Sequence, residues 1–202
     1  MSRFYVVLCE DLQSRVFIYR VLRELGVDPH NIRIQPYPDN RFHSVGGGSP
    51  RRVRGYLVYA CGAQHILMNY PAELAEIRTQ SAKRDAALVV HIDVDNATPD
   101  GRTMQDRRSE LDDACANKEV PKRTEKDPVA LLVPRREMET WIRFFLQGPP
   151  IIEHVSYSKL TGHEADAEPA AIAFARHAKA KTIPSDAIPS LLDGLAELRR
   201  VI

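Results

Sequence analysis

Six carboxylates in three short stretches carry most of the chemistry this sequence offers: Glu10 and Asp11 in VVLCEDL, Asp93 and Asp95 in VVHIDVDN, Glu137 and Glu139 in PRREMETW. In extended backbone, side chains two residues apart share a face, so Asp93 and Asp95 are expected to point the same way, roughly 7 Å apart. Like charges held together at the end of a sheet repel, and the repulsion grows as water is withdrawn. Something positive should compensate: a divalent cation, a nearby arginine, or solvent if the loop is open. Carboxylates converging from distant positions make a hard oxygen-donor site suited to Mg²⁺ or Mn²⁺ and poor for zinc. Any one of these acids, taken alone, reads as a turn residue or a helix N-cap. Their coincidence on one rim is what carries the metal reading.

The acids need elements to position them, and each stretch follows an apolar run. FYVVLC (4–9), AALVVHI (86–92) and VALLV (129–133) read as strands, the second of them buried on both faces, and NIRIQ (31–35) reads as a further short strand. Between the first two of these in chain order, Ile18, Val21, Leu22 and Leu25 fall at helical spacing before Gly26. Ser49-Pro50 reads as another helix start, and Pro71 either opens a further helix or continues the same one. RTMQDRRSELDDACANK (102–118) reads as a polar, exposed helix. After the last strand, Met138, Trp141, Ile142 and Phe145 again have helical spacing, ended by Gly148-Pro149-Pro150, with Trp141 as a core anchor. Alternating strands and helices imply an α/β fold: a parallel, Rossmann-like sheet of about four strands flanked by helices. The expected division is a catalytic α/β domain over 1–148 and a helical C-terminal extension over 149–202 packed on it. In such sheets ligands sit beyond the carboxyl ends of the strands, where these acids fall.

A substrate path is suggested by RFHSVGGGSPRRVR (41–54), in which Arg41, Arg51, Arg52 and Arg54 surround three glycines without an acid. Amides at Gly47 and Gly48 and a helix N-terminus attract phosphate, and arginines add charge-assisted bonds. A solvated loop fits the same residues equally well, and the stretch is no Walker A because it lacks the G-K-[ST] ending. Arg135 and Arg136 are candidates to neutralise Glu137 and Glu139 or to touch a phosphate, with surface ion pairing as the plainer role. His91 shares the parity of the acids and so is placed to contact them, although a satisfied core histidine is its ordinary reading. His163, Glu164 and Asp166 read as a helix start rather than metal ligands.

Composition is silent about partners. A 202-residue chain with 44% hydrophobic content buries one sizeable core, and a net charge of +1 with 27% charged residues exerts no bulk pull toward DNA or membrane. Cys9, Cys61 and Cys115 form no CxxC pair, which argues against a disulfide framework or a zinc site and fits a reducing cytoplasm. No stretch approaches the length of a membrane span or a secretory signal, so the expectation is a soluble, cytoplasmic protein without membrane contact.

A strand ending in Glu, a later strand ending in D-x-D and a following E-x-W together resemble the Toprim fold, especially small bacterial Toprim-like proteins and the nuclease domain of OLD-family proteins. The resemblance runs from about residue 4 to 147. It implies that Glu10, Asp93 and Asp95 bind Mg²⁺ (or Mn²⁺) and serve phosphoryl transfer on DNA or RNA. It likewise implies that Glu139, in Glu139-Thr140-Trp141, is the late acidic motif, with Glu137 as a further ligand. CEDLQS departs from the family pattern, which continues with Gly and carries a second acid four residues after the Glu; here Asp11 is adjacent and Ser14 stands at that place. The expected function is a metal-dependent nuclease whose cation cage is Glu10, Asp93, Asp95 and Glu139, with Glu10 alternatively a general base. The resemblance further implies an ATPase partner within a bacterial defence module. Two other readings stay open: a non-catalytic metal- or phosphate-binding regulatory subunit of an ATPase complex, and a small-molecule phosphohydrolase.

Overall fold

The structure is a computed structural model that describes residues 3–34, 62–95, 100–161 and 167–202. The candidate phosphate loop with Arg41, Gly47, Gly48, Arg51, Arg52 and Arg54, the helix start at Ser49-Pro50, and His163, Glu164 and Asp166 lie outside the described residues.

Four strands, β1 (Phe4–Leu8), β2 (Ile32–Ile34), β3 (Ala86–His91) and β4 (Val129–Leu132), form one sheet in the order β2-β1-β3-β4 with every pairing parallel. The fold is α/β and Rossmann-like, as the alternation of apolar runs and amphipathic helices predicts. Alternation within each strand feeds two cores. Tyr5, Val7, Ala87, Val89, Ala130 and Leu132 face one side, where α1 (Leu12–Glu24), α4 (Met138–Gln147), α5 (Glu168–Ala180) and α6 (Pro189–Arg199) pack. Val6, Leu8, Leu88, Val90, Val129 and Leu131 face the other, against α2 (Gly62–Ser81) and α3 (Met104–Ala116). Pro71 lies inside α2 (Gly62–Ser81), so it continues that helix rather than opening a further one.

Helices from the C-terminal part share the first core with the sheet: Ala171, Phe174, Leu191, Leu195 and Val201 belong to the same buried cluster as Tyr5 and Trp141. Trp141 is fully buried, stacks on Phe174 with ring centroids 5.5 Å apart, and donates Nε1–H to Ser190 Oγ at 2.8 Å. Gly194 of α6 is pressed on the same indole, where a Cβ would meet Trp141 Cη2 at 2.2 Å, so only glycine permits this approach. Glu153 accepts from the Ser190 amide at 2.7 Å, giving α6 an N-terminal acceptor from the chain just after α4. The effect is to pin α4, whose first turn carries Glu139.

The helix over Met104–Ala116 is not wholly exposed. Arg107, Leu111 and Cys115 are buried at i, i+4 and i+8, and form the stripe it lays on the sheet side. Two apolar residues on so polar a helix are a faint signal, and the third member being arginine hides the stripe.

Candidate metal centre

Chain order within the sheet reverses between β1 and β3: the connection through α1 leads outward to β2, whereas everything later lies on the other side of β1. Crevices at such a switch point, beyond the carboxyl ends of the strands, are where open α/β sheets bind ligands. Glu10 follows β1 and Asp93 follows β3, so neighbouring parallel strands deliver both to that crevice.

There the carboxylates meet. Glu10, Asp93 and Asp95 each offer one oxygen such that the three lie within 4.8 Å of one another, the grouping a single cation requires. Glu10 and Asp93 are 9% and 6% exposed, and half of the Asp95 side chain is open to solvent. Glu10 Oε2 accepts the Asp93 backbone N–H at 2.8 Å, tying the end of one strand to the end of the other. Regular β3 geometry stops at His91, but the chain stays paired beside β4: Ile92, Val94 and Asp95 donate their amides to the carbonyls of Leu132, Pro134 and Arg136 at 3.2 Å each. Asp95 turns left-handed with φ 51°. Strict alternation is thus broken where the two aspartates would have stood apart on one face.

Burial and repulsion raise the proton affinity of Glu10 and Asp93. Glu10 is pushed up to about 7 by desolvation and then by the Asp93 charge, against the pull of the Asp93 amide and His91. Asp93 is pushed up to about 6 by desolvation, opposed chiefly by His91. His91 is fully buried, with Nε2 3.0 Å from Asp93 Oδ1, yet the two do not form an aligned hydrogen bond. The contact is an ion pair, since charge attraction does not depend on that angle. The His91 imidazole is held above its ordinary affinity, the neighbouring Asp93 charge outweighing the burial that alone would lower it. His91 is therefore a contact of the site rather than an isolated core histidine.

Asp93 Oδ1 is a buried carboxylate oxygen whose near partner is His91 Nε2 at 3.0 Å. Three carboxylates and no sulfur ligand in the group suit a hard cation such as Mg²⁺ or Mn²⁺ better than zinc.

Positive compensation also comes from Arg107, a residue the sequence does not single out. Its guanidinium, 2% exposed, donates to the Asp93 carbonyl at 2.6 Å and approaches Asp95 Oδ2 at 3.3 Å. The signal for it was Arg107 at i−4 from Leu111, on the buried stripe of its helix.

The remaining candidate acids stand beside the trio and outside it. Asp11 is the N-cap of α1, accepting from the Ser14 amide at 2.7 Å and from the Ser14 hydroxyl. Glu137 precedes α4 and accepts the Tyr157 amide at 3.3 Å. Glu139 has its proton affinity raised by burial and by the charges of Asp11 and Glu137, and it shares with Asp93 the neighbours Asp11 and His91. Arg136 donates to the His154 carbonyl at 3.3 Å and, through its own carbonyl, holds the Asp95 amide; Arg135 precedes it on the same β4–α4 connection. Two surface clefts lie elsewhere, one along α3 between Ser109 and Lys122, the other between α5 and the C-terminus. Among the described residues no helix is long and apolar enough to cross a membrane. Neither a protein-family model, nor a curated protein, nor a solved structure matches this chain.

Proposed function

We propose that this protein is a Mg²⁺-dependent phosphoryl-transfer enzyme of the Toprim type, a nuclease acting on DNA or RNA. The observation that supports this reading is the grouping of the buried Glu10 and Asp93 carboxylates with Asp95, all within 4.8 Å of one another at the switch point of the sheet. Glu10, Asp93 and Asp95 would hold the ion, with Glu139 beside them. When bound, Mg²⁺ or Mn²⁺ supplies positive charge for the oxygens that become negative as a phosphodiester is attacked.

The chain's own groups supply the rest. Glu10 is alternatively the general base: left off the ion, its raised proton affinity suits it to accept the proton of an attacking water, with Asp93 and Asp95 then holding the cation. His91 keeps the Asp93 carboxylate charged against the cost of its burial, and Arg107 holds the backbone between the aspartates. Arg135 and Arg136 place two further cations on the rim loop between β4 and α4, where a phosphate backbone would approach. An ATPase belongs to this reading as the partner that would present the nucleic acid, within a bacterial defence module.

The test is cleavage of plasmid and single-stranded substrates with Mg²⁺, Mn²⁺ or EDTA, on the wild type and on Asp93→Asn. Metal-dependent cleavage lost in the variant supports the nuclease. Turnover of nucleotides but not polymers would replace it with a small-molecule phosphohydrolase. Tight Mn²⁺ binding without cleavage of either, with and without an ATPase, would replace it with a regulatory subunit, a reading that the closed Asp11–Ser14 cap favours by withholding one acid from the site.

A further inference from the structure

Arg107 spends every nitrogen of its side chain on one short stretch of chain and one helical neighbour. Nε donates to the Asp93 carbonyl at 2.6 Å, and Nη2 reaches the Val94 carbonyl and Asp95 Oδ2, each at 3.3 Å. Nη1 donates to Glu110 Oε2 at 2.8 Å, one turn along α3. Glu110 is also bound by Arg102, whose Nη1 touches the Val94 carbonyl at 3.3 Å, so a second arginine backs the first. A guanidinium 2% exposed is a costly way to fill volume that leucine or methionine would occupy.

The stretch it grips needs holding. Regular strand ends at His91, and Asp95 adopts φ 51°, a conformation disfavoured for a residue with a Cβ. The trio also repels itself, and without restraint the half-exposed Asp95 carboxylate gains by swinging into water. A planar fork of donors fixes two consecutive carbonyls and a carboxylate at once, which a single ammonium cannot do.

We infer that Arg107 is a positioning residue, whose fork sets the backbone of residues 93–95 so that both aspartates meet Glu10 in cation-binding geometry. This rests on the reading of the trio as a divalent-cation site. The sign of the effect separates positioning from plain electrostatics. A positive charge beside the site opposes a bound cation, so removing charge alone would tighten binding, whereas removing the fork loosens it.

The experiment measures Mn²⁺ affinity by electron paramagnetic resonance and amide hydrogen exchange of residues 93–95 in metal-free protein, on the full chain and on Arg107→Met and Arg107→Lys. Expected is Mn²⁺ binding weakened about 10–100-fold in Arg107→Met, with faster exchange at those amides and a retained cooperative thermal transition. Arg107→Lys keeps the charge without the fork and is expected to remain weak in both measurements. Should Arg107→Met not fold, Glu110→Gln loosens the same guanidinium from α3 and is expected to show the same changes at smaller size. Unchanged or tighter Mn²⁺ binding, unchanged exchange, or full rescue by lysine overturns the inference. Failure of the wild type to bind Mn²⁺ would instead sink the cation reading, and the exchange measurement would still decide whether Arg107 holds the segment.

Discussion

Glu10 Oε2 and the Asp93 backbone amide are joined at 2.8 Å across 83 residues of sequence. The bond places a carboxylate from the end of β1 beside one from the end of β3 and makes their separation a property of the sheet rather than of flexible loops. Two acids so placed repel, and the fold retains the arrangement at a cost. Residues held in unfavourable company at the mouth of an α/β sheet are candidates for function on physical grounds.

Asp93→Asn removes the best-buried charge of the trio while keeping its shape. Divalent-ion binding should weaken beyond the roughly 10–100-fold typical of losing a group that merely supports a ligand. Metal-dependent cleavage should vanish with it. Isothermal titration with Mn²⁺ and a plasmid-nicking assay check both, and full binding in the variant would remove Asp93 from the ligand set.

Stability should fall with rising pH when no metal is present. Glu10 and Asp93 hold protons to about 7 and about 6 in the folded protein, against 4.5 and 3.8 ordinarily. Below the ordinary values both states are protonated and the contribution is complete; it is lost as pH rises through the folded values, because the unfolded chain ionises freely. His91 has the same sign, since its raised affinity adds stability that disappears as the imidazole deprotonates. In EDTA, Tm should drop between about pH 4 and 7, from the ordinary to the folded values of the two carboxyls. Saturating Mg²⁺ should flatten the profile by favouring the ionised carboxylates. A flat profile in EDTA would contradict the coupling.

Glu139→Gln tests an acid that shares the neighbours Asp11 and His91 with Asp93 without joining the trio. Activity should fall, while Mn²⁺ affinity should change by less than about ten-fold, below the range for groups that support a ligand directly. Comparing kcat, substrate KM and Mn²⁺ affinity separates the cases: a loss of ion affinity as large as that of Asp93→Asn would make Glu139 a ligand.

Gly194→Ala sets a methyl group 2.2 Å from Trp141 Cη2. Overpacking of this kind costs about 1–3 kcal/mol, and more where a rigid ring cannot retreat. Chemical denaturation should show the loss. Because Trp141 lies in the helix that begins at Met138, the variant should also disturb Glu139 and lower activity, and a neutral result would mean that α6 slides freely past the indole.

The helical spacing at Ile18, Val21 and Leu22 and the unbroken apolar run at 86–90 were legible locally, because a helix stripe and a two-sided strand each leave a short-range period. So was the chemistry of the acids, since each closes an apolar run and a strand end is where a parallel sheet presents its residues. The sequence by itself determined, then, the kind of layer and the acidic groups at its rim. Which strands lie side by side was not written in any one segment. The order β2-β1-β3-β4 puts Glu10 next to Asp93 and leaves Glu137 and Glu139 beside the trio rather than in it. Compensation of the paired aspartates reads from sequence as cation, arginine or water, but the choice of Arg107 and His91 was decided by packing. Contacts between distant residues depend on how whole elements cross and tilt, and no period in the chain encodes that; only the tertiary structure turned six scattered acids into one group of three with its own buried counter-charges.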